Sequence, residues 1–340
     1  MKKNAGNSPD GLRVRRRTMV AAMGAALALP GAAAWAQQAA AAAFPARVIR
    51  IVPFGTAGGP IDAIARVYAD KLQQRWGQSV IVDAKPGASG IIAADAVAKA
   101  APDGHTVMLT LPLTHINNAI LQPKLPYDPV KDFEPISQLA LGGPMLVARA
   151  DAPYSNVKEF VAFGKQQKNL TYGTWGNGSA AHLMAELLKR QTGLALIHVP
   201  YKSESAAHND LFGGQLDFAW ANPATARAQV QGGRMKVLGI AASGRVSSLP
   251  DVKTFAEQGF AGFDLDSWIG VYAPAKTPPA VLGKWNDALR EITKMPDVRD
   301  KLASFGFEPL GNTAAQFKAS YAADYPRVAE LIKAAGVTAD

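Results

Sequence analysis

Apolar positions along the chain follow two rhythms that alternate. Val48, Ile49, Ile51 and Val52 make a short β-branched run within residues 47–54, the pattern of a buried strand. Pro60 then opens a helical spacing that continues to about Trp76. Strand patterns recur at 79–82 and 106–110, with an alanine-rich helix at 91–100 between them and a Pro102-Asp103-Gly104 turn. This βαβαβ order predicts a mostly parallel sheet with helices on both faces. Two apolar strands follow, at 136–141 and 145–148, split by Gly142-Gly143-Pro144. A second alternating run places helices at 157–166, 180–191, 204–212 and 224–230. Its strands fall at 170–172, 196–199, 216–220 and 237–241. One more strand, 268–272, precedes three helical stretches.

The fold class is therefore α/β, with two lobes facing each other across a ligand cleft, each a mostly parallel sheet flanked by helices. Lobe 1 is expected to combine residues 44–143 with 268–340, and lobe 2 to hold 144–267. In open α/β sheets ligands bind beyond the carboxyl ends of the strands. Two glycine-rich strand-to-helix loops fall there. The first is Pro53-Phe54-Gly55-Thr56-Ala57-Gly58-Gly59, followed by Pro60 and by Asp62 in the first helical turn. Its small side chains let backbone N–H groups approach an anion, and it contains no Lys, Arg, His or Cys to act chemically on one. A tight turn that binds nothing explains the same residues equally well.

The second loop, residues 173–179, satisfies G-x-G-x-x-A at Gly176 to Ala181. A dinucleotide would require an acid at the end of the next strand. That strand ends Val199-Pro200-Tyr201, and Glu204 lies too far on. Ser179 and His182 could serve an exported hydrolase, but Ser179 is well explained as a helix N-cap and no G-x-S-x-G elbow is present. The histidines are scattered without metal-ligand spacing, so no metal is expected. His115, just after a strand end with Thr114, is the one expected to face the cleft. Trp175, Trp220 and Trp268 sit in or beside strand ends, where stacking on a flat ligand and ordinary packing are both open.

The +9 formal charge is uneven: six basic residues against Asp10 before Gln37 account for +5, leaving +4 for the rest. No basic run follows Arg17, which gives nucleic-acid binding little support. Arg15-Arg16-Arg17, the apolar stretch from Met19 to Ala36 and the Ala34-Trp35-Ala36 triplet read as an export signal over residues 1–36, cleaved near Ala36. Residues 37–43 read as a disordered tail. The mature protein is expected outside the cytoplasm. Without cysteine there is no disulfide and no thiol nucleophile.

Several motifs, in this order and spacing, give a resemblance over about 44–336 to the Bug-type solute receptors of tripartite tricarboxylate transporters. They are Val52-Pro53-Phe54 with Gly58-Gly59-Pro60, Ala84 to Gly90, Ala101 to Thr106, Gly176-Asn177-Gly178-Ser179 with His182-Leu183, His198 to Lys202, Gly213 to Asp217 and Leu249 to Val252. The resemblance implies a two-lobed periplasmic binding protein of the type II kind, with no enzymatic activity and no cofactor. It would close on a small di- or tricarboxylate, with aromatic acids among the candidates. The first loop would hold a carboxylate through backbone groups and ordered water. Thr174, Trp175, Asn177, Ser179 and His182 would contribute from the other lobe, with Tyr201, Asn222 and Trp268 nearby. It further implies a monomer that delivers its ligand to a permease of one large and one small subunit; a sensor subunit is the alternative. Trp175 stands where the family usually has a small residue, and Ala221 where it often has Asp. With only Asp62 as an acid in the expected pocket segments, a ligand without an amine is expected.

Overall fold

The computed structural model describes Met1 and residues 44–337. The proposed export signal beyond Met1 and the 37–43 tail lie outside the described residues. From Arg47 onward the chain forms one compact unit.

The elements follow the hydrophobic rhythm closely. β1 (Ile49–Pro53) leads through the first loop into α1 (Pro60–Trp76), which begins on Pro60 and stops at Gly77 in a left-handed turn. β2 (Val80–Val82), α2 (Ile91–Ala98) and β3 (Thr106–Thr110) complete the βαβαβ unit. β3 runs into one π turn, Leu113–Asn117, and the short α3 (Asn118–Leu121). β4 (Phe133–Gly142) and β5 (Met145–Arg149) are separated only by Gly143 and Pro144. The second run is α4 (Val157–Gly164), β6 (Leu170–Thr174), α5 (Ala180–Thr192), β7 (Leu196–Pro200), α6 (Glu204–Phe212), β8 (Phe218–Ala221), α7 (Pro223–Gln231) and β9 (Met235–Ile240). The chain then returns through β10 (Ser267–Pro274), α8 (Pro279–Lys294), α9 (Pro296–Ser304), β11 (Glu308–Pro309) and α10 (Ala314–Ala334).

Two sheets result, one ordered β11-β4-β10-β3-β1-β2 and the other β7-β6-β8-β5-β9. Each has a parallel half, β3-β1-β2 and β7-β6-β8, as expected for strands joined by crossover helices. The strands that pass between the sheets add antiparallel: β10 against β3 and β4, and β5 against β8 and β9. The "mostly parallel" expectation thus holds for the strands that alternate with helices and gives way where chain is exchanged. The two crossings touch. Ala241 N–H donates to Pro144 O at 2.9 Å, and a Cβ on Gly143 would lie 2.0 Å from Ala241 O. Only glycine permits that approach.

Both sheets share an apolar core that contains Val52, Met108, Leu146, Trp220 and Phe317. α10 contributes Phe317, Val328 and Ile332 to it, so the last helix packs with both halves.

Candidate functional site

A cavity of about 370 Å³ opens beyond the carboxyl ends of β3, β6 and β8. Its walls are largely apolar: Pro112, Leu113, Ile116, Leu183, Met184, Phe305, Phe307 and Val328, with Trp175 and Trp268. Its polar lining comes from Ser89, Asn117, Asn177, Ser179, Asn222, Asp266, Ser267 and Asp324, and among the described residues no Lys, Arg or His lines it.

The second loop forms one side. Gly176 (φ +120°) and Gly178 (φ +67°) take conformations that side chains resist, and they set Asn177 between them on the cavity. Ser179 is the N-cap of α5, its Oγ accepting from His182 N–H at 3.3 Å. The His182 ring faces elsewhere: Nδ1 accepts from Gly178 N–H at 3.1 Å, and the ring stacks on His198 at 3.9 Å. Ser179 therefore has no imidazole base in hydrogen-bond reach through this pair, which removes the geometric basis of the hydrolase reading. Thr174 lies below the loop, with its Oγ1 2.6 Å from His198 Nε2. Tyr201 lies outside the lining and bonds its hydroxyl to Asp210 at 2.6 Å. Asn222 reaches the rim, held by Glu204, which accepts both its N–H (2.8 Å) and its Nδ2 (2.5 Å).

The first loop is placed differently from expectation. Residues Thr56, Ala57 and Gly58 are exposed, and neither Pro53 nor any residue from Phe54 to Gly59 lines the cavity. Gly58 N–H donates to Asp62 Oδ2 at 2.9 Å, and Gly59 N–H to Thr56 O at 3.1 Å. Asp62, buried at 2% exposure, also takes the Arg66 guanidinium at 2.8 Å. Burial opposes its charge, yet these donors hold its carboxyl below the usual range. Asp62 is thus the anchor of this loop, and three of the N–H groups expected to meet a ligand, those of Phe54, Gly58 and Gly59, are already paired. The loop still adjoins the cavity: a Cβ on Gly90, next to Ser89, would lie 3.2 Å from the Phe54 side chain.

His115 is a correction, and Trp220, left open between stacking and packing, is a packing residue. His115 is fully buried, stacked on Tyr272 at 4.0 Å, with Nδ1 2.8 Å from Thr114 Oγ1. Burial pushes its pKa down to about 3, so it is a neutral ring of the core. Thr114 is equally buried and bonds Thr110. Trp220 is fully buried against Phe255. Of the three tryptophans, Trp175 and Trp268 reach the cavity wall and Trp220 does not.

Sequence reasoning missed Ser89, Asn117, Ser267, Asp266 and Asp324. Ser89 sits at φ +51° in the Gly87–Gly90 motif, an uncommon conformation for serine. Asp266 precedes β10 and accepts from Ser243 N–H at 2.9 Å and Ser243 Oγ at 2.5 Å. Asp324 projects from α10, with Arg327 at 4.0 Å. Burial raises both carboxyls, Asp324 to about 6. The premise that Asp62 alone supplied an acid is therefore overturned, and with it the argument that the ligand lacks an amine. No group of three or more His, Cys, Asp or Glu suited to a metal occurs among the described residues.

The family model that describes the tripartite tricarboxylate transporter family receptor matches residues 64–337. The protein BugT of Bordetella pertussis is 32% identical over 296 residues, 86% of this chain and 90% of its own. Among solved structures, Rpa4515 of R. palustris with adipate has a TM-score of 0.74 at 30% identity, covering 87% of this chain and 99% of its own. MatC (Rpa3494) of Rhodopseudomonas palustris with bound malate has a TM-score of 0.69 at 31% identity, covering 85% and 100%.

Proposed function

Because the chain belongs to the tripartite tricarboxylate transporter receptor family, of the Bug type, we propose that it is a periplasmic receptor for a small organic acid. The acid would lie in the cavity between a lobe of residues 44–143 plus 268–340 and a lobe of 144–267. Asn177 and Ser179 on one side and Ser89 and Asn117 on the other would supply neutral donors, with Trp175 and Trp268 against its carbon skeleton. Hydrogen bonds of this kind orient an anion without a buried ion pair, whose desolvation offsets much of its attraction. The unpaired N–H groups of the first loop would complete the grip at the edge beside Ser89. Release would be to a permease of one large and one small subunit, after export and cleavage near Ala36, with the receptor acting as a monomer.

The observation that carries the reading is the cavity's lining: neutral donors and aromatic walls at strand ends, with two acids and no cation. Two lining carboxylates disfavour a ligand of three negative charges, so the class narrows to mono- and dicarboxylates. Malate and adipate, held by the two structural relatives, are natural first probes. A thermal-shift panel of malate, adipate, benzoate, terephthalate, aspartate and citrate tests this. A mono- or dicarboxylate at a hundred times its Kd adds about 2.7 kcal/mol to native stability and raises Tm by several degrees, and citrate does not. A panel in which no acid moves Tm would sink the proposal.

A further inference from the structure

Two histidines that never touch the cavity hold the loop that does. Gly178 is gripped from both sides. Its N–H donates to His182 Nδ1 at 3.1 Å, and its carbonyl accepts from Asn117 Nδ2 at 3.1 Å, a bond that arrives from the turn after β3 in the other half of the molecule. On the other side of Asn177, Gly176 N–H donates to Thr174 Oγ1 at 3.3 Å, and Thr174 Oγ1 lies 2.6 Å from His198 Nε2. The His182 and His198 rings stack at 3.9 Å with 16° between their planes. The turn that carries Asn177 is thus tied at both ends to one histidine pair.

A ring nitrogen that accepts a hydrogen bond must be unprotonated. A proton on His182 Nδ1 would set N–H against N–H at Gly178. A second charge on the stacked ring would add like-charge repulsion, and a cation in the first turn of α5 opposes the helix dipole. Resting on the reading that the second loop holds the ligand, we propose that His182 and His198 are positioning residues. As a neutral stack they fix the Gly176–Gly178 turn against Asn117, and acid releases it.

The charged surroundings leave that switch to the pair itself. Glu186 and Lys189, on the same helix, act on His182 with opposite sign. From β6, Tyr172 stacks on His198 and directs its hydroxyl to Glu186 at 2.9 Å. From α10, Glu330 is paired with Arg190 at 3.2 Å. The contact from the other half is the neutral Asn117. Burial lowers His182 below its ordinary range and, with His182 beside it, takes His198 down to about 4, so the release belongs to mildly to strongly acidic solution.

The test uses the mature chain, isotope-labelled, without ligand, from pH 7.5 to 4.5. Imidazole nitrogen shifts report ring protonation, and hydrogen exchange reports the Gly178 amide. Protection of Gly178 is expected to fall at least tenfold as His182 takes its proton. His182→Asn offers an acceptor oxygen near the same place but cannot titrate, and should keep Gly178 protected across the range. Protection that persists in the native chain after the ring protonates would overturn the proposal, as would an identical acid loss in His182→Asn. Calorimetry with malate and adipate adds the functional arm. Affinity for whichever acid binds should fall at least tenfold more between pH 7.5 and 5 in the native chain than in His182→Asn, and equal falls count against the link. Asn177→Ala at pH 7.5 tests the underlying reading separately: unchanged affinity there removes the loop from the site, while the exchange experiment still decides the role of the histidines in holding the turn.

Discussion

His115 shows what a titratable residue becomes when packing, rather than chemistry, decides its place. Fully buried against Tyr272 and Phe133, it stays neutral down to about pH 3 in the native state, whereas an unfolded chain protonates it near pH 6.5. Between those values the unfolded state binds the extra proton, so native stability falls as pH falls. At pH 5 this one residue removes about 2 kcal/mol. His115→Phe should therefore lose less stability than the native chain between pH 7 and pH 5, measured by urea unfolding. Equal losses would mean that the ring is not held neutral. Gly58 and Asn177 make a second residue-scale contrast. Gly58 holds φ +81°, with nothing within 4 Å of a would-be Cβ. Gly58→Val therefore acts through backbone strain rather than a clash, costing about 1–2 kcal/mol of stability. Asn177→Ala sits on an exposed turn and should leave stability within about 0.5 kcal/mol. It should weaken acid binding about tenfold by calorimetry, the loss of one neutral hydrogen bond.

At the scale of elements, α1 and α6 were legible residue for residue. Pro60 and Gly77 bracket the first, and Ser203 caps the second by accepting from Ala206 N–H. What periodicity does not encode is strand partnership. β4, β5 and β10 read as ordinary apolar strands, and nothing local says that they pair antiparallel and pass between sheets. The candidate site divides the same way. Asn177 and Ser179, named from a motif within one loop, line the cavity; Asp266 and Asp324 come from segments with no motif and meet at the cavity only through the fold. His115 was misplaced because a polar residue after a strand end looks the same from sequence whether it turns to the cleft or into the core. Gly143 carried a visible hint, Gly142-Gly143-Pro144, whose reason is now plain in the contact with Ala241. Gly143→Ala must push the two crossings apart and should destabilise the fold by about 3 kcal/mol. An unaltered Tm in that variant would show the crossings to be looser than they stand here.

For the whole molecule the issue is what two carboxylates in the cavity would mean for the organic acid proposed above. Asp266 is satisfied by Ser243, but Asp324, on a helix that packs with both halves, has Arg327 no nearer than 4.0 Å, and Arg327 also bonds Asp264. With its carboxyl raised to about 6, Asp324 is charged at pH 7.5 and substantially neutral at pH 5.5. A carboxylate bound in this partly solvated cavity would feel a repulsion of about 1 kcal/mol from the charged form. On the proposed reading, that repulsion would set an upper limit on affinity and would disfavour the most highly charged acids. It also has the opposite pH sign from the histidine pair: protonation of Asp324 would relieve the ligand, whereas protonation of His182 would disturb the loop. Asp324→Asn should bind adipate or malate several-fold more tightly than the native chain at pH 7.5, whichever of the two the receptor takes. It should also lose the gain in affinity that the native chain shows between pH 7.5 and 6. If the variant binds no better at pH 7.5, the ligand's charge lies too far from α10 for the acid wall to select among acids, and the selection must come from the shape set by Trp175 and Trp268.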